Sequence, residues 1–144
     1  MGCDIHMHIE VKVKDVWIHY AAPTVDRWYD LFGVIAGVRN EHMPLIVEPK
    51  GLPDDLSFIT ELAHQREEDD AHTESWLNLE EIGKLSKWIQ EQNRAIGTKY
   101  ISLEFSVLHT YLFNNHFAYF GKPYSRDSYP TEVTDVRFVF WFDN

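Results

Sequence analysis

A chain of 144 residues with 44% hydrophobic and 15% aromatic side chains is expected to be one domain over residues 1–144 with its own core, which excludes disorder. The formal net charge of −10 disfavours duplex nucleic acid, whose binding needs Lys and Arg to displace counterions, but allows a small phosphate ester held by a local cation. Cys3 is the single cysteine, so neither an internal disulfide nor a Cys-based zinc cluster is available; with no span of roughly 20 apolar residues and no signal-peptide pattern, no membrane partner and a cytoplasmic location are expected.

In the segment Asp4-Ile5-His6-Met7-His8-Ile9-Glu10, polar and apolar residues alternate. An extended chain then places Asp4, His6, His8 and Glu10 on one face and Ile5, Met7, Ile9, Val11 and Val13 on the other. A strand from about Cys3 to Val13 follows, with Val16-Trp17-Ile18 continuing it or returning in a hairpin after Lys14-Asp15. Leu31, Phe32, Ile35 and Val38 recur at helical spacing, with Asp26 or Asp30 available as the cap. Residues 40–56 hold three prolines and a glycine and read as a loop. Ser57 to Arg66 makes a short helix, and the acidic run Glu67-Glu68-Asp69-Asp70 reads as a solvated turn. Asn78, with Glu81 three residues on, forms a capping box for a helix whose stripe is Leu79, Ile82, Leu85, Trp88 and Ile89 and which Gly97 stops.

Residues 101–113 fit a helix or a strand, with helix preferred, and residues 121–130 read as a loop. Near the end, Val136, Phe138, Phe140 and Phe142 oppose Val139 and Trp141, the pattern of a central strand buried on both faces. The elements imply an α+β fold: a small single domain whose mixed or antiparallel sheet contains the N- and C-terminal strands and packs with three to four helices.

The polar face of the first segment has two readings, the solvated side of a half-buried strand or the floor of a site. For the site, Asp4, His6 and His8 supply carboxylate and imidazole donors suited to a divalent metal such as zinc or manganese. The Asp-x-His-x-His pattern also occurs in barrel hydrolases, but those folds need more residues than this chain has, so the likeness is local. His6 and His72 are the candidates for acid–base chemistry, with Asp54 or Asp55 completing the shell. The alternative for His72 is a surface imidazole, and for Asp54 and Asp55 it is helix capping. Arg39, Asn40 and Lys50 offer phosphate contacts, and Ser75 and Trp76 offer a hydroxyl and a stacking ring.

The stretches MGCDIH, RWYDLFGVIAGVRN, PKGLPDD, HTESWLNLEEI and VRFVFWFDN, taken in this order, resemble a widespread family of bacteriophage-encoded proteins that begin MGCDIH, most without an assigned activity. The resemblance covers nearly the whole chain. Members tend to carry His-Ser-x-Ser-Trp where this chain has Thr73 and Ser75, and this chain is shorter between Gly97 and Glu132. The motifs carry over onto Cys3 to His6, Gly51 to Asp55, His72, Ser75, Trp76 and Phe142 to Asn144, and leave His8 outside. The resemblance implies a protein of the infected bacterial cytoplasm. Combined with the polar residues, the expectation is a metal-dependent phosphodiesterase acting on a small nucleotide, such as a host immune messenger. The alternatives are a sequestering nucleotide binder or a host-protein-binding anti-defence protein, and a homo-oligomer is left open.

Overall fold

The fold is taken from a computed structural model, which describes residues 2–96 and 133–144. The expected helix over 101–113, the loop over 121–130 and the stop at Gly97 lie outside the described residues. Within them the chain runs β1 (Asp4–Val13), β2 (Val16–Ala21), α1 (Tyr29–Ala36), α2 (Phe58–Glu67), β3 (His72–Leu77), α3 (Leu79–Ile96) and β4 (Val133–Asp143). The four strands form one antiparallel sheet in the order β2-β1-β4-β3, so the N-terminal and C-terminal strands lie side by side at its centre. This is the small α+β domain read from the sequence. No helix among the described residues is long and apolar enough to cross a membrane.

The β1–β2 hairpin turns through Lys14 and Asp15, both with positive φ, at 50° and 63°. A two-residue turn of that hand matches the twist of the strands it joins. Ile5, Met7 and Ile9 stand opposite Phe142, Phe140 and Phe138, and this face forms the core with Leu31, Phe32 and Ile35 of α1 and Ile82, Leu85 and Ile89 of α3. Asn78 caps α3 as expected: its Oδ1 accepts from the Glu81 N–H at 2.9 Å, and Glu81 Oε1 accepts from the Asn78 N–H at 2.9 Å.

The start of α1 differs from the expectation. Trp28 occupies the N-cap without a side-chain bond, so neither Asp26 nor Asp30 caps it. The helix ends where Gly37 turns left-handed at φ 70°, leaving Val38 beyond the last turn. Residues 72–77, to which no element is assigned from the sequence, form a strand. Their period is interrupted by a bulge between His72 and Ser75, where Thr73 has φ 54°, a strained value for a β-branched residue. The bulge keeps the side chains of both His72 and Ser75 on the core face, opposite Phe142 and Phe140.

The other sheet face carries His6, His8, Glu10, Arg137 and Trp141, and α2 lies over it. Thr60, Ala63, His64 and Glu67 of α2 recur at helical spacing and are buried or half-buried. Phe58, Ile59 and Leu62 point outward; Phe58 is 70% exposed. Polar side chains therefore attach this helix to the sheet.

Candidate functional site

Antiparallel pairing of β1 with β4 sets Asp4 opposite Asp143 and His6 opposite Trp141. At that end of the sheet His6 Nε2 lies 2.8 Å from Asp143 Oδ2, and His6 Nδ1 lies 3.3 Å from Glu67 Oε2. Glu67 is itself fixed, because its Oε2 accepts from the buried Trp141 indole N–H at 2.7 Å. His6 thus stands between two carboxylates that come from the last residue of α2 and the end of β4. An imidazole held this way can accept a proton at one nitrogen and release one from the other.

These groups sit beside a cleft of about 420 Å3. Its floor is Asp4, His6 and His8 of β1. Residues 22–25 and Ala63, Arg66 and Glu67 of α2 also line it. The side chains of His6 and Asp143 are each 29% exposed, so the pair is reachable from solvent. Asp4 is engaged by a two-pronged contact from Arg27, Nε to Oδ1 at 2.6 Å and Nη2 to Oδ2 at 3.0 Å. The hydrogen bonds from Arg27 hold the Asp4 carboxyl below its usual range.

His8 faces elsewhere. Its Nδ1 lies 3.0 Å from His19 Nε2, and its ring stacks on Trp141 with centroids 4.9 Å apart. Burial first, and then the neighbouring His19 and His6, push the His8 pKa down to about 4, so the ring is neutral at pH 7. Glu10 is buried in a polar network at the far end of the same face. Its Oε1 accepts from Arg137 Nε at 2.8 Å, and its Oε2 accepts from the Ser57 N–H at 2.9 Å and the Thr60 hydroxyl at 2.8 Å. Burial pushes this carboxyl up, but the hydrogen bonds outweigh it and leave it below its ordinary value.

The donors of Asp4, His6 and His8 aim at three different partners: Arg27, the carboxylates of Asp143 and Glu67, and His19. Asp143 and Glu67 approach opposite nitrogens of His6, so one ion could not share a single ring nitrogen with both. Among the described residues no group of three His, Cys, Asp or Glu side chains is arranged to hold a metal ion. These side chains as placed do not fit the zinc or manganese site read from the strand pattern.

The other sequence candidates are scattered. His72 lies at the same end of the sheet as His6 but on the opposite face, stacked on Phe142 at 6.1 Å, with Nδ1 bonded to Thr73 Oγ1 at 2.9 Å. Asp55 is tied to Arg137, six residues before Asp143 and hence about 20 Å away along β4. Arg137 Nη1 donates to Asp55 Oδ1 at 2.7 Å, and Nη2 to the Asp55 carbonyl at 3.0 Å. Ser57, not Asp54 or Asp55, caps α2. Asp54 lines a different hollow with Glu61 and His64.

All five expected substrate contacts have structural partners that can be named. Asn40 closes its own loop, bonding the Met43 N–H and carbonyl at 2.8 and 2.7 Å. Lys50 pairs with Glu81 and lies 3.8 Å over the Trp76 ring, covering the face that a base would need. Buried Ser75 accepts from the Lys50 N–H at 3.0 Å. Arg39 lies over the Tyr29 ring at 5.9 Å. Glu67 escaped the sequence reading because it opens an acidic run; its signal was the polar stripe Thr60, His64, Glu67, which places it on the buried side of α2. Compared with known proteins, the chain matches no protein family, no curated protein and no solved structure.

Proposed function

We propose that this chain is a hydrolase that cleaves a phosphodiester in a small nucleotide, with His6 as the general acid–base and Asp143 as the group that orients its ring. The observation that carries this reading is the His6–Asp143 pair, 2.8 Å apart and solvent-reachable, beside a cleft of about 420 Å3. That volume is in the range of small-molecule sites. Glu67 at the second ring nitrogen gives the proton a second carboxylate to move to or from. No step is assigned to a metal, because the donors of Asp4, His6 and His8 do not converge. The motif resemblance to phage-encoded proteins supports placing the substrate among nucleotides of the infected cell.

The test is hydrolysis of a panel of cyclic and linear nucleotides by the purified protein, with and without added zinc or manganese, alongside the His6→Ala and Asp143→Asn variants. Loss of general acid–base help in His6→Ala is expected to slow turnover by a factor of about a hundred to ten thousand. Nucleotides left intact under every condition, or a His6→Ala variant as fast as the parent, would refute the reading.

A second reading, binding of a host protein, is favoured by one observation: Phe58, Ile59 and Leu62 face outward on α2. It predicts a stoichiometric complex with one defined host protein that Phe58→Asp abolishes while nucleotide turnover is absent throughout.

A further inference from the structure

We propose that Arg27 and Arg66 form a clamp for the terminal phosphate of a linear nucleotide, and that Asp4 occupies Arg27 until that phosphate arrives. This deepens the hydrolase reading and rests on it for the nucleotide, while the anion site itself rests on geometry. Arg66 stands on the α2 wall of the cleft, exposed, and no partner for it is found among the described residues. Arg27 comes shortly after residues 22–25 in the chain and forks onto Asp4 at the cleft floor. His6 lines the same cleft.

The position of Arg27 is shaped by the backbone. A Cβ on Gly2 would stand 2.1 Å from Arg27 Nη1 and 2.3 Å from Cζ, so the guanidinium occupies the space that any side chain at position 2 would fill. Its two bonds to Asp4 place the fork beside the cleft floor. Its bond to Asp4 is exchangeable, because the Arg27 and Asp4 side chains are 55% and 48% exposed and water screens the pair. A phosphate presents the same paired oxygens as the carboxylate it would replace, and guanidinium recognises either in a fork. Two cations, one lining the cleft and one bonded to its Asp4, match a dianion, which is the charge of a terminal phosphate and not of a diester.

The test uses inorganic phosphate, with dimethyl phosphate as the diester monoanion, added to the full chain while arginine Nε–H resonances are followed by NMR. Sodium chloride at equal ionic strength is the control for screening. Phosphate is expected to shift the Arg27 and Arg66 resonances and to bind about tenfold more tightly than dimethyl phosphate. Arg66→Gln should weaken phosphate about tenfold, whereas Asp4→Asn, which removes the competing carboxylate, should tighten it several-fold. All three side chains are substantially exposed, and circular dichroism verifies that the variants fold. Unchanged affinity in both variants, or shifts that sodium chloride reproduces, overturns the clamp. Inorganic phosphate cannot be cleaved, so the two readings separate. Binding that obeys the variants without any nucleotide turnover supports the clamp and refutes the hydrolase; turnover with no phosphate binding does the reverse.

Discussion

Arg137→Met should destabilise the fold more than any surface substitution, and the size of the loss can be worked from its partners. The Arg137 side chain is 3% exposed and Glu10 is fully buried. The guanidinium gives Nε and Nη2 to Glu10 Oε1, at 2.8 and 2.7 Å, gives Nη1 and Nη2 to Asp55, and lies 4.1 Å from the Trp17 ring centroid. Removing it leaves the Glu10 carboxylate buried, with only the Ser57 N–H and the Thr60 hydroxyl as donors. Breaking one side of such a pair costs about 3–5 kcal/mol, which for a domain of this size lowers the melting temperature by roughly 10 to 20 °C. Glu10→Gln in the same chain removes the stranded charge while its amide oxygen still accepts from Ser57, so the double variant should regain about 2 kcal/mol. Urea denaturation at pH 7 of the parent, both single variants and the double variant measures this coupling. A single-variant cost below about 1 kcal/mol, or costs that add to within about 0.5 kcal/mol, would refute the account of the network.

The His8–His19 pair makes stability fall on mild acidification. In the folded chain His8 titrates at about 4, against an ordinary value of 6.5, so between these values the unfolded chain holds more protons; stability is complete above 6.5, declines as pH falls toward 4, and has lost about 2 kcal/mol by pH 5. His19 is shifted the same way by burial and adds to the loss, whereas the lowered carboxyls of Glu10 and Asp55 act below their ordinary values, in more acidic solution. The drop in urea midpoint between pH 7.5 and pH 5 should be smaller in His8→Gln than in the parent, with His19 keeping the remainder, and an equal drop in parent and variant would count against the pair. Asn78→Ala removes half of the α3 capping box and should cost about 1 kcal/mol in thermal melts; an unchanged melt would mean that the box carries no weight. Chelation should leave the His6 and His8 ring resonances where they were, because Asp4, His6 and His8 aim at different partners, and a shift reversed by zinc or manganese would contradict that geometry.

Those parts of the fold governed by local period and cap were legible in the sequence. Alternation placed β1 and its two faces, the unbroken apolar run placed β4 at the sheet centre, and Asn78 with Glu81 marked the start of α3. β3 was hidden because the bulge at Thr73 breaks its alternation, and a positive φ at a threonine leaves no signature in composition. The missing cap of α1 was hidden for a different reason. Core packing of Leu31, Phe32 and Ile35 supports that helix, so its first turn tolerates Trp28 where a polar cap was expected.

For the site, sequence reasoning could identify His6 and the face it shares with Asp4, but not which distant groups that face would meet. Asp143 is 137 residues away and reaches His6 only because β1 and β4 pair in this register. The pairing of β3 with β4 sets His72 opposite Phe142 and so takes it to the core side, although it lies at the same end of the sheet.

The reversed polarity of α2 links these observations. A helix that turned Phe58, Ile59 and Leu62 toward the sheet would have needed an apolar floor, and β1 offers histidines and acids there. Instead Thr60 reaches Glu10, His64 lies 3.2 Å from Glu74, and Glu67 meets Trp141 and His6, so each inward polar side chain has a named partner on the sheet. The polar face of β1 is consequently neither a solvated surface nor a uniform site. At its Glu10 end it is closed and structural; at its Asp4 end α2 runs out, its last residue leaves His6 open to the cleft, and a pattern made for attachment becomes available for chemistry.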